Sequence, residues 1–300
     1  MADRRLQVFH AVAKHGSFTR AADALFMTQP AVTFQIKQLE DQYGTRLFDR
    51  RHGSITLTPA GELVLDYARR ILALSDEMDI RVAELTGEMR GPLLVGASTT
   101  IAEFMLPRVL GEFNALYPQV RARLIVGNSV SIESQVADHA LDVGLIEAPA
   151  KQSGLSSLNC CEDELQVICV PDYPLAEFAA LRPGDLVDYE FISREPGSGT
   201  RAITDSYFAE HGIAPETLKA QMELGSPEAL KGVVATGLGF AIVSRAVAAK
   251  EIELGELRGI PLDPPLKRGL YLVHPQERFQ SKLLATFIDF ARRKLKEQAS

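Results

Sequence analysis

This 300-residue chain has only three cysteines and no long apolar run. Cys160, Cys161 and Cys169 form neither an even disulfide framework nor the spacing of a zinc site, so we expect buried thiols in a reducing compartment. No apolar run reaches the roughly 18 residues that cross a membrane. The N-terminus carries Arg4 and Arg5 where a signal peptide would carry an apolar core. We therefore expect a cytoplasmic protein that does not contact a membrane.

Motifs of the common enzyme classes are also missing. Ser198 has Pro196 and Thr200 two residues to either side, which is not the G-x-S-x-G of a hydrolase nucleophile. The six histidines are scattered without an H-E-x-x-H pair, and GLGF at 237–240 is too short for a dinucleotide fingerprint. The sequence thus predicts no catalytic activity, no cofactor and no metal site.

Basic residues are concentrated at the N-terminal end of a chain whose net charge is −7. Residues 1–60 hold eight Lys and Arg against five Asp and Glu, a net charge of +3. Residues 91–300 hold twenty Lys and Arg against twenty-seven Asp and Glu, a net charge of −7. A local basic excess is what a phosphate-contacting surface needs. The length exceeds that of one such module, so two or three domains are expected.

The basic segment has the pattern of a winged helix-turn-helix. Apolar residues at helical spacing predict a first helix, and Ser17 is a good N-cap for a second one. Thr28 is placed to cap a third helix, which should end at Gly44. The alternating LFDRRHGSITLT that follows, with a turn at His52-Gly53, predicts two short strands. We assign this DNA-binding domain to residues 1–58.

A long linker helix is predicted over residues 59–90. Its apolar positions recur mostly every three or four residues: Leu63, Val64, Tyr67, Ile71, Leu74, Met78, Val82 and Leu85. A stripe of this length needs a partner, and an identical helix is the simplest one. The alternative is an ordinary core helix, although a helix this long is well above the usual globular length.

Short apolar strands alternate with helices after Gly91-Pro92, a pattern typical of a largely parallel sheet covered on both sides. Residues 91–300 therefore predict an α/β effector domain of the periplasmic-binding-protein kind, with a cleft between two subdomains. We place subdomain I at about 91–163 and 267–300, and subdomain II at about 164–266.

The chain as a whole resembles the LysR-type transcriptional regulators. The segment FxxVAKHGSFTRAADALFMTQPAVTFQIKQLEDQYGTRLFDR, followed by LTPAGELVLDYA, matches the family signature closely, although Phe34 stands where many members carry a polar or basic residue. VGNSVSIESQVADHALDVGLIE and SREPGSGTR are similar to the branch that controls sulfur or one-carbon and carbon-fixation genes. The resemblance implies a homodimer or homotetramer that binds double-stranded operator DNA and a small anionic effector, and that acts on RNA polymerase.

We predict six DNA-contacting residues: Thr28, Gln29, Thr33, Lys37, Arg50 and Arg51. Three of them share one face of the third helix at a spacing of four. Gln29 is suited to pair with adenine, and Thr33 to meet a thymine methyl group or a base edge. The wing arginines suit backbone or minor-groove contacts, but Arg50 has the alternative of a salt bridge with Glu40 or Asp41.

An anion site is predicted where strands end and helices begin in the α/β region. Its candidate residues are Ser98, Thr99, Thr100, Asn128, Ser129, Ser198, Gly199, Thr200 and Arg201. Hydroxyls and free N–H groups at helix starts bind anions, and glycines let the backbone approach a ligand. One such loop alone would more often be a plain N-cap, but two loops in equivalent places favour a site. By the resemblance, these loops hold the effector.

Two other classes of protein share parts of this pattern. A solute-binding protein of the transport type has the same two-lobed sensor, and a metabolic enzyme can carry a DNA-binding appendage. A signal peptide would favour the first, and turnover of a candidate ligand would favour the second. The helix-turn-helix favours a metabolite-responsive transcription regulator over both.

Overall fold

A computed structural model describes residues 3–51, 54–85, 89–276 and 280–299 of the chain. The chain divides into two compact units, Met1–Glu88 and Met89–Ser300. The first contains the predicted helix-turn-helix and the long helix, and the second contains the predicted α/β region.

The N-terminal unit is a helix-turn-helix followed by a hairpin and a long helix. Its elements are α1 (Arg4–His15), α2 (Phe18–Ala24), α3 (Gln29–Tyr43), β1 (Phe48–Arg51), β2 (Ser54–Leu57) and α4 (Pro59–Leu85). Phe9, Phe18 and Phe48 form an aromatic cluster, with ring centroids 5.1 Å apart for Phe9–Phe48 and 5.9 Å for Phe18–Phe48. This cluster joins α1 and α2 to the hairpin.

Three predicted helix ends of this unit are confirmed. The side chain of Ser17 accepts a hydrogen bond from the Arg20 N–H, and that of Thr28 accepts one from the Ala31 N–H. Gly44 ends α3 with φ = 63°, a left-handed conformation that glycine adopts without strain. The strands of the predicted wing pair antiparallel. The turn predicted at His52-Gly53 lies outside the described residues.

The helix α4 carries an apolar stripe that its own unit leaves uncovered. Six residues of the stripe are at least 43% exposed: Leu63, Tyr67, Ile71, Leu74, Met78 and Val82. Near the start of α4 the stripe borders an apolar cleft of about 300 Å³, which Leu6, Tyr43 and Leu47 also line. The alternative prediction, an ordinary core helix, is therefore wrong for the face of α4 that carries these six residues.

The second unit is an α/β fold of two subdomains. Its elements are β3 (Gly91–Ser98), α5 (Thr99–Phe104), α6 (Leu106–Leu116), β4 (Val120–Gly127), α7 (Ser129–Ala137), β5 (Val143–Ile146), β6 (Leu155–Cys169), β7 (Glu190–Arg194), α8 (Gly199–Glu210), β8 (Lys219–Leu224), α9 (Pro227–Val234), β9 (Ala241–Ser244), α10 (Ala249–Glu253), β10 (Arg258–Pro275) and α11 (Lys282–Ala299).

Two long antiparallel strands, β6 and β10, run through both subdomains. The main sheet has the order β4-β3-β5-β10-β6-β9. One end of the long pair contributes to a core with β3, β5, α6 and α11 (subdomain I), and the other end to a core with β7, α8 and β9 (subdomain II). The predicted two-subdomain architecture is therefore confirmed.

Two details of the predicted fold are wrong. The main sheet is mixed: β3 pairs parallel with β4 and β5, whereas the crossing strands β6 and β10 lie antiparallel to each other. The sequence pattern of 101–117 predicts a single helix, but the structure divides this segment at Met105 into α5 and α6. Pro107 explains the division, since proline lacks the N–H that a continuous helix would use there.

Candidate DNA-binding surface and effector site

The helix α3 buries one face and exposes the other. Val32, Ile36 and Leu39 are at most 1% exposed and anchor the helix in the core. Gln29 and Lys37 are exposed, and Thr33 is half-buried on the same side. The sequence-predicted spacing thus brings these three polar side chains to one outward face, where amide, hydroxyl and ammonium groups can meet base edges and phosphates.

Phe26, in the turn before α3, was missed by sequence reasoning. Its side chain is 99% exposed, and its φ of 52° lies in the left-handed region that bulky residues rarely adopt. It lies two residues before Thr28, the N-cap of α3. A lone exposed aromatic side chain breaks no periodicity, so no pattern in the sequence marks it. Phe34 on α3 is also exposed, by 58%.

The carboxylate of Glu40 fixes the start of the wing to α3. It accepts hydrogen bonds from the backbone N–H groups of Leu47, at 2.8 Å, and Phe48, at 3.3 Å. Arg50 and Arg51 lie in β1, but their side chains are outside the described part of the structure. Their contact with DNA, and the alternative salt bridge of Arg50, remain predictions.

In the effector domain, the residues of the predicted anion site converge on a residue that the sequence did not suggest. Glu147, directly after β5, is 2% exposed. Its carboxylate accepts a hydrogen bond of 2.6 Å from the Ser98 hydroxyl and another from the Ser129 hydroxyl. A Cβ added to Gly199 would lie 2.5 Å from Glu147 Oε2, so glycine is needed for this approach. Ser98, Ser129 and Gly199 thus surround one carboxylate.

A buried arginine joins this cluster to the crossing strands. The Arg268 side chain, on β10, is 0% exposed. Arg268 Nε donates to Asp163 Oδ2 on β6, and Nη1 donates to the Thr200 hydroxyl, both at 2.8 Å. Glu147 Oε1 lies 3.7 Å from Nη1. The second terminal nitrogen, Nη2, lies 2.8 Å from the same Asp163 oxygen but without hydrogen-bond geometry.

Direct contacts bring together the two subdomains beside this cluster. Arg194 Nη2, on β7, donates to the Thr99 hydroxyl at 2.8 Å. The Asn128 side chain caps α7 by accepting from the Ser131 N–H, and its Nδ2 lies 3.5 Å from the Pro196 carbonyl oxygen. These residues come from strand ends and helix starts of both subdomains, as the predicted cleft requires.

The remaining predicted residues have separate surroundings. Thr100 is 2% exposed. Ser198 caps α8 through the Arg201 N–H. The Arg201 guanidinium donates to Glu223 and to the Arg194 carbonyl oxygen, and it lies 3.7 Å from Asp205. The structure therefore brings most of the predicted loops together, but the side chain of Arg201 is held by acidic groups outside the Glu147 cluster.

The cysteines have the surroundings expected of inert thiols. Cys160 and Cys169 are buried and Cys161 is half-buried, and all three are free. Burial raises the pKa of Cys160 and Cys169 to about 11 and that of Cys161 to about 12. Thiols react as thiolates, so these groups are poorly suited to redox sensing at neutral pH.

Within the described ranges, no helix is long and apolar enough to cross a membrane. The same ranges contain no group of three or more His, Cys, Asp or Glu residues placed to hold a metal ion.

Two family models match the chain and together span most of it. The bacterial regulatory helix-turn-helix protein of the LysR family matches residues 4–62, and the LysR substrate binding domain matches residues 86–296. The first match contains α1 to β2, and the second contains β3 to β10 and most of α11.

Relatives of similar length share more than a third of the sequence. A protein named "Probable RuBisCO transcriptional regulator" from Cyanidioschyzon merolae is 38% identical over 287 residues, covering 94% of this chain and 95% of its own. One of the same name from Synechocystis is 37% identical, covering 95% of this chain and 84% of its own.

Solved structures have the same fold. Full-length CbnR complexed with target DNA is 25% identical with a TM-score of 0.70, covering 98% of this chain and 100% of its own. The regulatory domain of Synechocystis CcmR, in complex with 2-PG, is 30% identical with a TM-score of 0.63, covering 68% of this chain and 97% of its own. The chain belongs to the LysR family of DNA-binding transcriptional regulators and carries that family's effector-binding domain.

Proposed function

We propose that this protein regulates carbon-assimilation genes in response to a small anionic metabolite bound between the two subdomains of its α/β unit. The observation that carries the proposal is the convergence of Ser98, Ser129, Thr200 and Gly199 beside buried Arg268. Hydroxyls, a close-approaching backbone and a guanidinium are groups that recognise carboxylates and phosphates.

The relatives favour carbon over sulfur as the regulated metabolism. The named relatives are RuBisCO regulators, and a structural neighbour binds 2-phosphoglycolate, which carries both a phosphate and a carboxylate. We propose a ligand of the same class here, held by the loops of Ser98–Thr100, Asn128-Ser129 and Ser198–Arg201. The ligand acts as a signal and is released unchanged.

We propose that DNA is read by Thr28, Gln29, Thr33 and Lys37, with Arg50 and Arg51 on the backbone or minor groove. The outward face of α3 and the DNA-bound state of the neighbour CbnR support this assignment. Because the family reads DNA as an oligomer, we assign self-association to the exposed apolar stripe of α4. Effector binding then shifts the population of sensor conformations and the spacing of the paired DNA-binding domains.

RNA polymerase is the proposed downstream partner, and the cytoplasm is the proposed location. Both follow from the role of a promoter-bound regulator that responds to an internal metabolite. A bacterial two-hybrid assay against polymerase subunits tests the first, with a DNA-binding variant such as Thr33→Ala as the control.

The central test is DNA binding in the presence of candidate anions. Fluorescence anisotropy of labelled DNA from upstream of the RuBisCO genes, with full-length protein, is measured with 2-phosphoglycolate, sulfate or thiosulfate. We expect a specific complex whose affinity or footprint changes with 2-phosphoglycolate. A change with sulfate or thiosulfate alone would favour control of sulfur genes, and conversion of the added ligand would favour an enzyme.

A further inference from the structure

Glu147 occupies the place in the effector domain where an anionic ligand would be held. Both oxygens of its carboxylate accept hydroxyl hydrogen bonds, one from Ser98 and one from Ser129. The carboxylate also packs against the first residue of α8, Gly199, which belongs to the other subdomain. These are the contacts that a carboxylate or phosphate oxygen of a bound ligand would make.

Around Glu147, the buried side chains include more carboxylates than guanidinium groups. Glu147 and Asp163 are 2% and 8% exposed, and both lie near Arg268, whose side chain is fully buried. Arg268 makes its close contacts with Asp163 and Thr200, at 2.8 Å, while Glu147 is 3.7 Å away. The guanidinium of Arg194, which contacts Thr99, is paired with Glu195 at 2.9 Å. Two carboxylates therefore share one arginine.

A buried like charge strongly opposes the binding of another anion. Two like charges about 4 Å apart repel several times more strongly inside a protein than in bulk water, because the effective dielectric constant is lower there. An anionic ligand beside Ser98 and Ser129 would meet that repulsion, and it would also compete for the same two hydroxyls. Glu147 must therefore leave these hydroxyls before a ligand oxygen can take its place.

We infer that Glu147 is a built-in competitor of the effector, which occupies the hydroxyls of Ser98 and Ser129 and sets the affinity of the site for anions until the ligand displaces it. This inference rests on the proposed function, because it assumes an anionic effector at this site. It assigns to Glu147 a positioning role in the ligand-free protein and a specificity role in ligand selection.

The opposite role is also chemically reasonable and gives the opposite result. A carboxylate that accepts a hydrogen bond from a ligand hydroxyl would assist binding, and its removal would weaken affinity. The sign of the change in affinity on removing the charge of Glu147 therefore separates the two roles.

The test is calorimetric titration of the full-length protein with 2-phosphoglycolate and, separately, with inorganic phosphate. Glu147→Gln keeps the shape and removes the charge, and we expect it to bind the anion about tenfold or more tightly than the wild type. Glu147→Asp keeps the charge and should show no gain. Glu210→Gln, an exposed position at the far end of α8, is the matched control and should bind as the wild type does.

A second measurement does not depend on ligand binding. Amide hydrogen exchange of the unliganded protein should be faster in segments 128–131 and 197–201 of Glu147→Gln than in the wild type, because the side chain that accepts from Ser129 and packs against Gly199 loses its charge. Unchanged or weaker anion binding by Glu147→Gln, in a protein whose wild type binds the anion, overturns the inference and leaves the proposed function standing. If neither anion binds the wild type or any variant, the proposed effector class fails, and the inference fails with it.

Discussion

Arg194 donates a 2.8 Å hydrogen bond to the hydroxyl of Thr99, and this bond joins the end of β7 to the start of α5. Arg194 is itself fixed in subdomain II by Glu195 and by the Leu224 carbonyl oxygen. Thr99 lies at the end of the first strand of subdomain I. The bond therefore links the two subdomains beside the candidate effector site, so any change in the width of the cleft between them would affect it.

The first prediction concerns the affinity of the effector site. Thr100 is buried in the predicted anion loop, and Thr100→Val removes its hydroxyl while it keeps the shape. We expect a loss of about 1–2 kcal/mol of 2-phosphoglycolate affinity with unchanged binding to operator DNA in the absence of ligand. Calorimetry and fluorescence anisotropy measure the two quantities. Wild-type ligand affinity in Thr100→Val would mean that this loop is an ordinary helix start.

The second prediction decides which arginine serves the ligand. If Arg201 contacts the anion, Arg201→Ala should cost more affinity than Thr100→Val, because it removes a charge-assisted contact, and the double variant should show coupling. Arg201 is now bound by Glu223 and Asp205, so it must exchange partners to take this role. If Arg201→Ala binds the ligand with unchanged affinity, the guanidinium that contacts the anion belongs to Arg194 or Arg268 instead.

The sequence predicted the loops of this site but not its charged centre, for a physical reason. Ser98 and Thr200 are recognisable because hydroxyls between a strand and a helix follow local rules of capping. Glu147 and Ser98 are 49 residues apart, and Arg268 and Asp163 are 105 residues apart. The pairing of β3 with β5 brings Ser98 to Glu147, and the pairing of β6 with β10 brings Asp163 to Arg268. Neither pairing leaves a local pattern in the sequence.

The third prediction concerns base recognition by α3. Gln29→Ala or Thr33→Ala should reduce affinity for the specific operator by about 1–3 kcal/mol and relax base preference, because each removes a side chain that we propose contacts base edges. Gln38→Ala, an exposed residue on another side of the same helix, is the control. Fluorescence anisotropy with operator DNA and with random DNA measures the affinity and the base preference. Equal losses on the two DNAs would contradict base reading.

The fourth prediction concerns Phe26, whose left-handed backbone costs stability and whose fully exposed side chain adds none in return. Phe26→Gly removes a backbone strain of about 1–2 kcal/mol from the folded state, which stabilises the protein. Glycine also gives the unfolded chain more conformational entropy, which destabilises the folded state by roughly 0.5–1 kcal/mol. We therefore expect the free energy of unfolding to be unchanged or higher, as measured by urea denaturation. If the ring makes an apolar contact with DNA, affinity for the operator should fall in the same variant. Full DNA affinity would remove Phe26 from the interface.

The fifth prediction concerns the α4 stripe. Ile71→Asp should abolish self-association, because it places an unpaired charge in an apolar seam between two helices. Arg69→Asp is the matched control: it introduces the same side chain two residues away, about 200° around the helix, at an exposed position outside the stripe. Sedimentation velocity should show a smaller species for Ile71→Asp alone. Operator affinity should fall with it, since two half-sites bound by one oligomer gain from a high effective concentration. If both variants sediment as the wild type does, the oligomer is held by another surface, and the uncovered stripe has a different occupant.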